Sequence, residues 1–426
     1  MAGSPVSRIG IRYFVLALPF AVIPASFLPG SGIGRPQQIH LSWSGPIGRD
    51  LTVTWVTNTP ASDSQVVFRL RSQAEPRIAE STQAPLADDP GLYLHTARLG
   101  LLPEGEYAYF VGCNRSGWSS ALGFRVRGGD PSPLTFAATA DTGVDLAAED
   151  SVLRMKQADP EFVLHAGDLS YAWEHPWRWN AFFEMIEPLA AKAPYMTALG
   201  NHEHEAPLGL ASYLARLELP NNERYYSFDY GSLHVISLDS GEVYGPPPDD
   251  ETEWLVADLE RSAHDPLHPW RVVFFHFPPF SSGAHGSWMD GRKVWSPIFD
   301  QFGVSLVIGG HDHLYERTWP VSASGRVSRE SYDDPDSPVY VVTGGGGEKL
   351  YTFAGDPPEW SAFRAISKET LRVTVAGRYM TISAIRRDGS LLDTFTLRRE
   401  SGPHLPPLQP VLEIPLTSPV EKPKSR

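Results

Sequence analysis

Apolar and polar positions alternate through the first third of the chain. Between residues 37 and 127, short runs repeat with period two: 51–56 (LTVTWV), 65–70 (QVVFRL), 93–99 (YLHTARL) and 106–112 (EYAYFVG). Pro, Gly, Asn and Asp separate them. Over residues 36–127 this predicts a small antiparallel all-β sandwich. Gly128-Gly129-Asp130-Pro131 reads as a linker. From Leu134 the rhythm changes. Continuous apolar runs at 134–138, 162–165, 195–199, 272–275 and 306–308 predict buried strands, and helical periodicity fills 147–157, 177–186, 208–217 and 251–262. Runs at 225–230 and 233–238 predict a hairpin. Those at 339–343, 371–375 and 380–386 predict a second sheet. Residues 133–398 therefore read as an α/β domain, a sheet-on-sheet β-sandwich flanked by helices.

The two ends differ from this pattern. Residues 1–30 combine Arg8 and Arg12 with an apolar run at 13–27 and small residues (Ala25, Ser26), which predicts a signal peptide and a secreted or periplasmic protein. The run is shorter than the roughly 20 apolar residues of a membrane span and is broken by Pro19 and Pro24, so no stable membrane anchor is expected. Residues 401–426, rich in Pro, Lys and Ser, predict a disordered tail. Cys113 is the only cysteine, which excludes an intrachain disulfide. The formal charge of −14 argues against a nucleic-acid partner. It leaves a small anionic substrate open, because a bound metal dominates the local field.

Each of the five buried strands runs into residues able to bind metal. They are Asp141 in ADTG, Asp168 and Tyr171 in GDLSY, Asn201 in GNHE, His276 in VVFFHFPP, and His311 and His313 in GGHDH. Taken singly, each has a plainer reading: Asp141 as a helix cap, Asn201-His202 as a turn, His276 as a buried core histidine. Together they place seven oxygen and nitrogen donors, without a thiolate, at strand ends, where α/β sheets bind ligands. Seven donors exceed one tetrahedral ion but fit two ions sharing a carboxylate, an arrangement suited to in-line displacement at phosphorus. Ser170 reads as a turn residue, not a nucleophile. His204 and Glu205 read as solvated, His165 as packing or hydrogen-bonding at a strand end, and Trp173, Trp177 and Trp179 as core, with the wall of a substrate cleft as the alternative reading. Gly344–Gly347 lacks the Gly-Lys-Ser/Thr ending of a P-loop and reads as a turn near the site.

The order D-x-G, G-D-x-x-Y, G-N-H-E, V-x-x-H, G-H-x-H resembles the purple acid phosphatases within the calcineurin-like metallophosphoesterases. Pro36-Gln37-Gln38-Ile39-His40 is similar to the entry into that family's fibronectin-III-like N-terminal domain, and Tyr315-Glu316-Arg317 is similar as well. The resemblance covers residues 36–396. It implies that Asp141, Tyr171 and His313 hold Fe(III), that Asp168 bridges, and that Asn201, His276 and His311 hold a divalent ion (Fe, Zn or Mn). His202 and His285 match histidines that contact the substrate phosphate. Plant members carry a further histidine beside the latter, where this chain has Ala284. The implied activity is that of an exported acid phosphatase acting on small phosphomonoesters through a metal-bound hydroxide. Two other readings stand beside it: a diesterase or nucleotide hydrolase with the same metals, and a binding protein with a relic site. Tyr171 favours the first reading, and the complete donor set argues against the last.

Overall fold

A computed structural model of the chain describes residues 34–400, apart from 130–132, 174, 206–208 and 329. The predicted signal peptide (1–30) and tail (401–426) lie outside the described residues. The alternating runs become β1 (Gln37–Trp43), β2 (Asp50–Thr57), β3 (Gln65–Leu70), β4 (Arg77–Glu80), β5 (Thr82–Pro85), β6 (Tyr93–Leu101), β7 (Gly105–Cys113), β8 (Gly117–Trp118) and β9 (Leu122–Val126). They form two sheets, ordered β1-β2-β6-β5 and β4-β3-β7-β8, with β9 added on β7. Alternate side chains turn inward, as period two requires: Val53 and Trp55 of β2, and Tyr107, Tyr109 and Val111 of β7, join the core.

The rest of the described chain alternates strands and helices: β10 (Leu134–Thr139), α1 (Leu146–Gln157), β11 (Val163–Ala166), α2 (Trp177–Ala190), β12 (Tyr195–Ala198), α3 (Leu210–Leu214), β13 (Tyr226–Tyr230), β14 (Leu233–Ser237), α4 (Asp249–Ala263), β15 (Trp270–Phe274), α5 (Met289–Gln301) and β16 (Leu306–Gly309). Then come β17 (Tyr315–Thr318), β18 (Val339–Thr343), β19 (Ser361–Ala365), β20 (Glu369–Ala376), β21 (Tyr379–Arg386) and β22 (Leu391–Arg398). Two sheets result, ordered β12-β11-β10-β20-β21-β22 and β13-β14-β15-β16-β18-β17-β19. The last three predicted strands therefore do not make a sheet of their own. β20 pairs antiparallel with β10, whereas β18 pairs parallel with β16, so they complete different sheets.

Periodicity explains how the layers stack. Val272 and Phe274 of β15 join the cluster between the sheets, with Phe136 and Leu164. Val273 and Phe275 point the other way, onto Leu255 and Leu259 of α4 and Trp295 and Phe299 of α5. α5 carries Gly291 and Pro297, which hide it from helical propensity. The predicted helix at 208–217 is helical only over Leu210–Leu214. Beyond it the chain is held by the sandwich instead: the Arg216 carbonyl accepts from His40 Nε2 (2.8 Å) and the Glu218 carbonyl from Ser42 Oγ (2.6 Å). The Arg216 guanidinium meets Asp88 through both nitrogens (2.6 and 2.9 Å), and both side chains are buried. Trp43 of β1 packs on Phe162, Phe228 and Tyr230. No helix among the described residues is long and apolar enough to cross a membrane.

One buried titratable group away from the strand ends makes stability depend on pH. His234 of β14 donates to Asp229 (2.6 Å) and Asp258 (2.7 Å), and Arg261 and Ser227 also reach Asp258. Burial pushes His234 down, but the two carboxylates hold it above its ordinary 6.5. A raised folded pKa contributes stability that is complete below the unfolded value and lost as pH rises through the folded one. The melting temperature is therefore expected to fall as pH rises above neutrality, and His234→Gln should flatten that fall. An unchanged slope in the variant would assign the pH dependence elsewhere.

Candidate metal centre

Strand ends from both sheets meet at one rim. Asp141 follows β10, Asp168 and Tyr171 follow β11, and Asn201 and His202 open a short 3-10 turn (Asn201–Glu203) after β12. His276 follows β15, and His311 and His313 follow β16. Four of these residues sit in the left-handed region: Asp141 (φ 56°), Asp168 (54°), Tyr171 (51°) and His311 (68°). Each such residue costs about 1–3 kcal/mol and persists only where its surroundings over-determine it, as at functional sites. Close backbone approach does that here. A Cβ on Gly200 would lie 2.1 Å from Asp168 Oδ1, and one on Gly344 would lie 2.2 Å from the Asp312 carbonyl and 3.0 Å from Asp141 Oδ2. The Gly344–Gly347 stretch is thus a cradle beneath Asp141.

The donors fall into two adjoining groups. In the first, Tyr171 Oη lies 3.1 Å from Asp141 Oδ1 and 3.0 Å from His313 Nε2, and His313 Nε2 is 3.3 Å from Asp141 Oδ1. In the second, His276 Nε2 lies 3.1 Å from both Asp168 Oδ2 and Asn201 Oδ1. Ligand atoms of Asp168, His276 and His311 all lie within 4.8 Å of one another. Backbone carbonyls orient the imidazoles: His276 Nδ1 donates to Ala166 and His313 Nδ1 to Lys349, leaving each Nε2 turned inward. His202 Nε2 is 3.7 Å from Asp168 Oδ2, and the His285 ring stands 4.3 Å from that of His311. All nine candidate residues are therefore brought to one place.

Several supporting residues were not legible beforehand. Glu203 is buried, and its carboxylate accepts from the backbone N–H groups of Asp168 (2.7 Å), Leu169 (2.9 Å) and Gly200 (2.8 Å), tying two ligand-bearing turns together. Asp312, between the two histidines of GGHDH, accepts from the His285 N–H (2.9 Å) and from Ser281 Oγ. His204 and Glu205 are not simply solvated: His204 pairs with Asp239 (3.0 Å), and Glu205 accepts from His202 Nδ1 (2.7 Å). Of the three tryptophans read as core, only Trp179 is buried; Trp173 and Trp177 are exposed. The cap of α1 is Asp145, which accepts from Ala147 and Ala148, so Asp141 is free of that duty. His165 bonds Thr142 at a strand end, as its position suggested.

Charge decides what this arrangement is fit to hold. Asp141 and Asp168 are fully buried, and among the described residues their ion-pair partners are histidines alone. Burial works against a charge on His276, yet the Asp168 and Asp141 carboxylates push it up to about 9. Burial also opposes charge on Asp168, but His276 and His202 hold it below the usual carboxylate range. Tyr171 is pushed well above its ordinary value by burial and by the same two carboxylates. Buried carboxylates without lysine or arginine, ringed by inward-facing imidazole, amide and phenol donors, are fitted to metal cations.

The chain is similar to known proteins along most of its length. Family models match along the chain: the purple acid phosphatase N-terminal domain over 36–126, the calcineurin-like phosphoesterase over 134–315, and the iron/zinc purple acid phosphatase-like protein C over 337–394. Acid phosphatase type 7 of Homo sapiens is 33% identical over 408 residues, covering 85% of this chain and 91% of the relative. Purple acid phosphatase 18 of Arabidopsis thaliana is 32% identical over 350 residues, covering 78% and 76%. The solved purple acid phosphatase PPD1 of yellow lupin (Lupinus luteus) superposes with a TM-score of 0.77 at 24% identity, over 86% of this chain and 75% of that one, and so shares the fold. With both domains matched and the donor-bearing rim complete, the chain belongs to the purple acid phosphatases, phosphate-ester hydrolases that work through a dinuclear metal centre.

Proposed function

We propose that the protein is an exported acid phosphatase that hydrolyses small phosphomonoesters at a mixed-metal centre. Asp141, Tyr171 and His313 would hold Fe(III), and Asn201, His276 and His311 a divalent Fe, Zn or Mn, with Asp168 between them. The observation that carries this reading is the pair of buried carboxylates, whose ion-pair partners among the described residues are histidines alone, set among inward-facing donors in two adjoining groups. When bound, the ions supply Lewis-acid charge for the phosphoryl oxygens and lower the pKa of water. The chain's own part is to bind and orient. His202 and His285 border the donors, hold phosphate oxygens, and one of them returns a proton to the departing alkoxide. Glu205 fixes the His202 ring through Nδ1, so that Nε2 faces the centre. Asp312 fixes the backbone of His285. Export rests on the N-terminal pattern of residues 1–30.

Colour tests the metal assignment. Free tyrosine titrates near about 10, so a phenolate at Tyr171 in mildly acidic medium needs the strong charge of a trivalent ion. A phenolate on ferric iron absorbs visible light by charge transfer. The purified oxidised protein is expected to be pink to violet, and Tyr171→Phe should bleach it while Asp141, Asp168 and His313 retain the ion. A colourless wild-type protein, fully active with two zinc or manganese ions, would sink the ferric reading.

A further inference from the structure

The tryptophans left exposed at the rim are where sequence pattern and structure part most clearly. Trp173 is 49% and Trp177 57% exposed, against 4% for Trp179. Leaving two indoles in water forgoes the burial free energy that large apolar side chains otherwise gain. Trp173 is also held in the left-handed region (φ 44°), two residues after the tyrosine of the GDLSY turn. Its ring lies 5.9 Å from that of His202 and 6.1 Å from that of Tyr171, and its Nε1 is 3.2 Å from His202 Nδ1. The Arg178 guanidinium stands 5.2 Å over the Trp173 ring and 5.8 Å over Trp177, and is anchored by Nε donating to the Ser170 carbonyl (3.0 Å). A cation held against it keeps the indole in place. Aromatic faces border the other histidines too. Tyr351 stacks on His313 at 4.1 Å and lies 5.1 Å from His285, and the half-exposed Tyr244 lies 5.5 Å from His311.

We infer that this cleft selects phosphomonoesters whose ester oxygen carries a planar aromatic ring, with Trp173 as the surface on which that ring stacks. The inference rests on the phosphatase reading above and names its substrate class. A ring joined directly to the ester oxygen stays close to a phosphate held at His202, within reach of the neighbouring indole. A flexible alkyl leaving group gains little from such a face, whereas an aryl group gains offset or edge-on ring contact.

The test compares kcat/KM for 2-naphthyl phosphate and glycerol 2-phosphate in the metal-loaded full-length protein and its Trp173→Ala and Trp173→Phe variants. Metal content and circular dichroism are measured alongside. Trp173→Ala should lower the naphthyl-to-glycerol ratio about 10-fold, chiefly through KM, while Trp173→Phe, which keeps a ring, should hold it within about threefold. Equal loss on both esters in both variants would mean that Trp173 acts only by steadying His202, and would overturn the inference. Wild-type protein inert toward both esters would overturn the phosphatase reading and this inference with it.

Discussion

Asp168→Asn is expected to abolish turnover and to lower metal content at both positions while leaving the fold intact. Asp168 is the residue proposed above as the bridge between the two donor groups: Oδ1 accepts from the His202 N–H (3.0 Å), and Oδ2 lies 3.1 Å from His276 Nε2 and 3.7 Å from His202 Nε2. A shared bridge must carry negative charge, since two cations a few ångströms apart repel strongly in a buried site. Asparagine preserves the shape and one acceptor oxygen but removes the charge, so the loss is electrostatic, not steric. Elemental analysis and turnover of a chromogenic monoester, with circular dichroism as the control for folding, check it. A variant that kept both metals and near-normal rates would make the dinuclear assignment wrong.

The histidines beside the donors should behave oppositely. His202→Ala and His285→Ala are expected to keep both metals and to lose roughly 10²–10⁴-fold in turnover, the usual range for a general acid–base group. Both sit beside the donors: His202 is partly exposed, as Asn201 and His311 are, and His285 is exposed. Loss of metal in either variant would move that residue among the ligands. A full-rate His285→Ala enzyme would show that its role had been wrongly transferred, despite the hold of Asp312 on its backbone.

What the sequence disclosed, and what it withheld, follows from the range of the interactions. Strand-end donors were legible because a short apolar run followed by Gly-Asp or Gly-Asn-His is a local pattern, and the structure brings all of them to one rim. Sheet membership was not, because β10 pairing with β20 and β16 with β18 are choices made between distant segments. Glu203 and Asp312 stood inside motifs already singled out, but their work is done through backbone N–H groups of other turns, which no spacing announces. α5 was hidden by Gly291 and Pro297. Trp173 looked like core because composition cannot distinguish an indole packed inside from one held out by its backbone. A residue that breaks the expected burial in this way is a place to look for function.

The grip of the sandwich on the segment after α3 sets a timetable for synthesis. β1 is an edge strand whose His40 bonds the Arg216 carbonyl, 176 residues further along. At roughly 5–20 residues per second, a ribosome needs about 9–35 s to deliver that partner. Until then the sandwich presents a strand edge with Trp43 uncovered, a template for stray pairing between nascent chains. Expression yield and aggregation should therefore respond to elongation rate across residues 40–218 more than to overall stability.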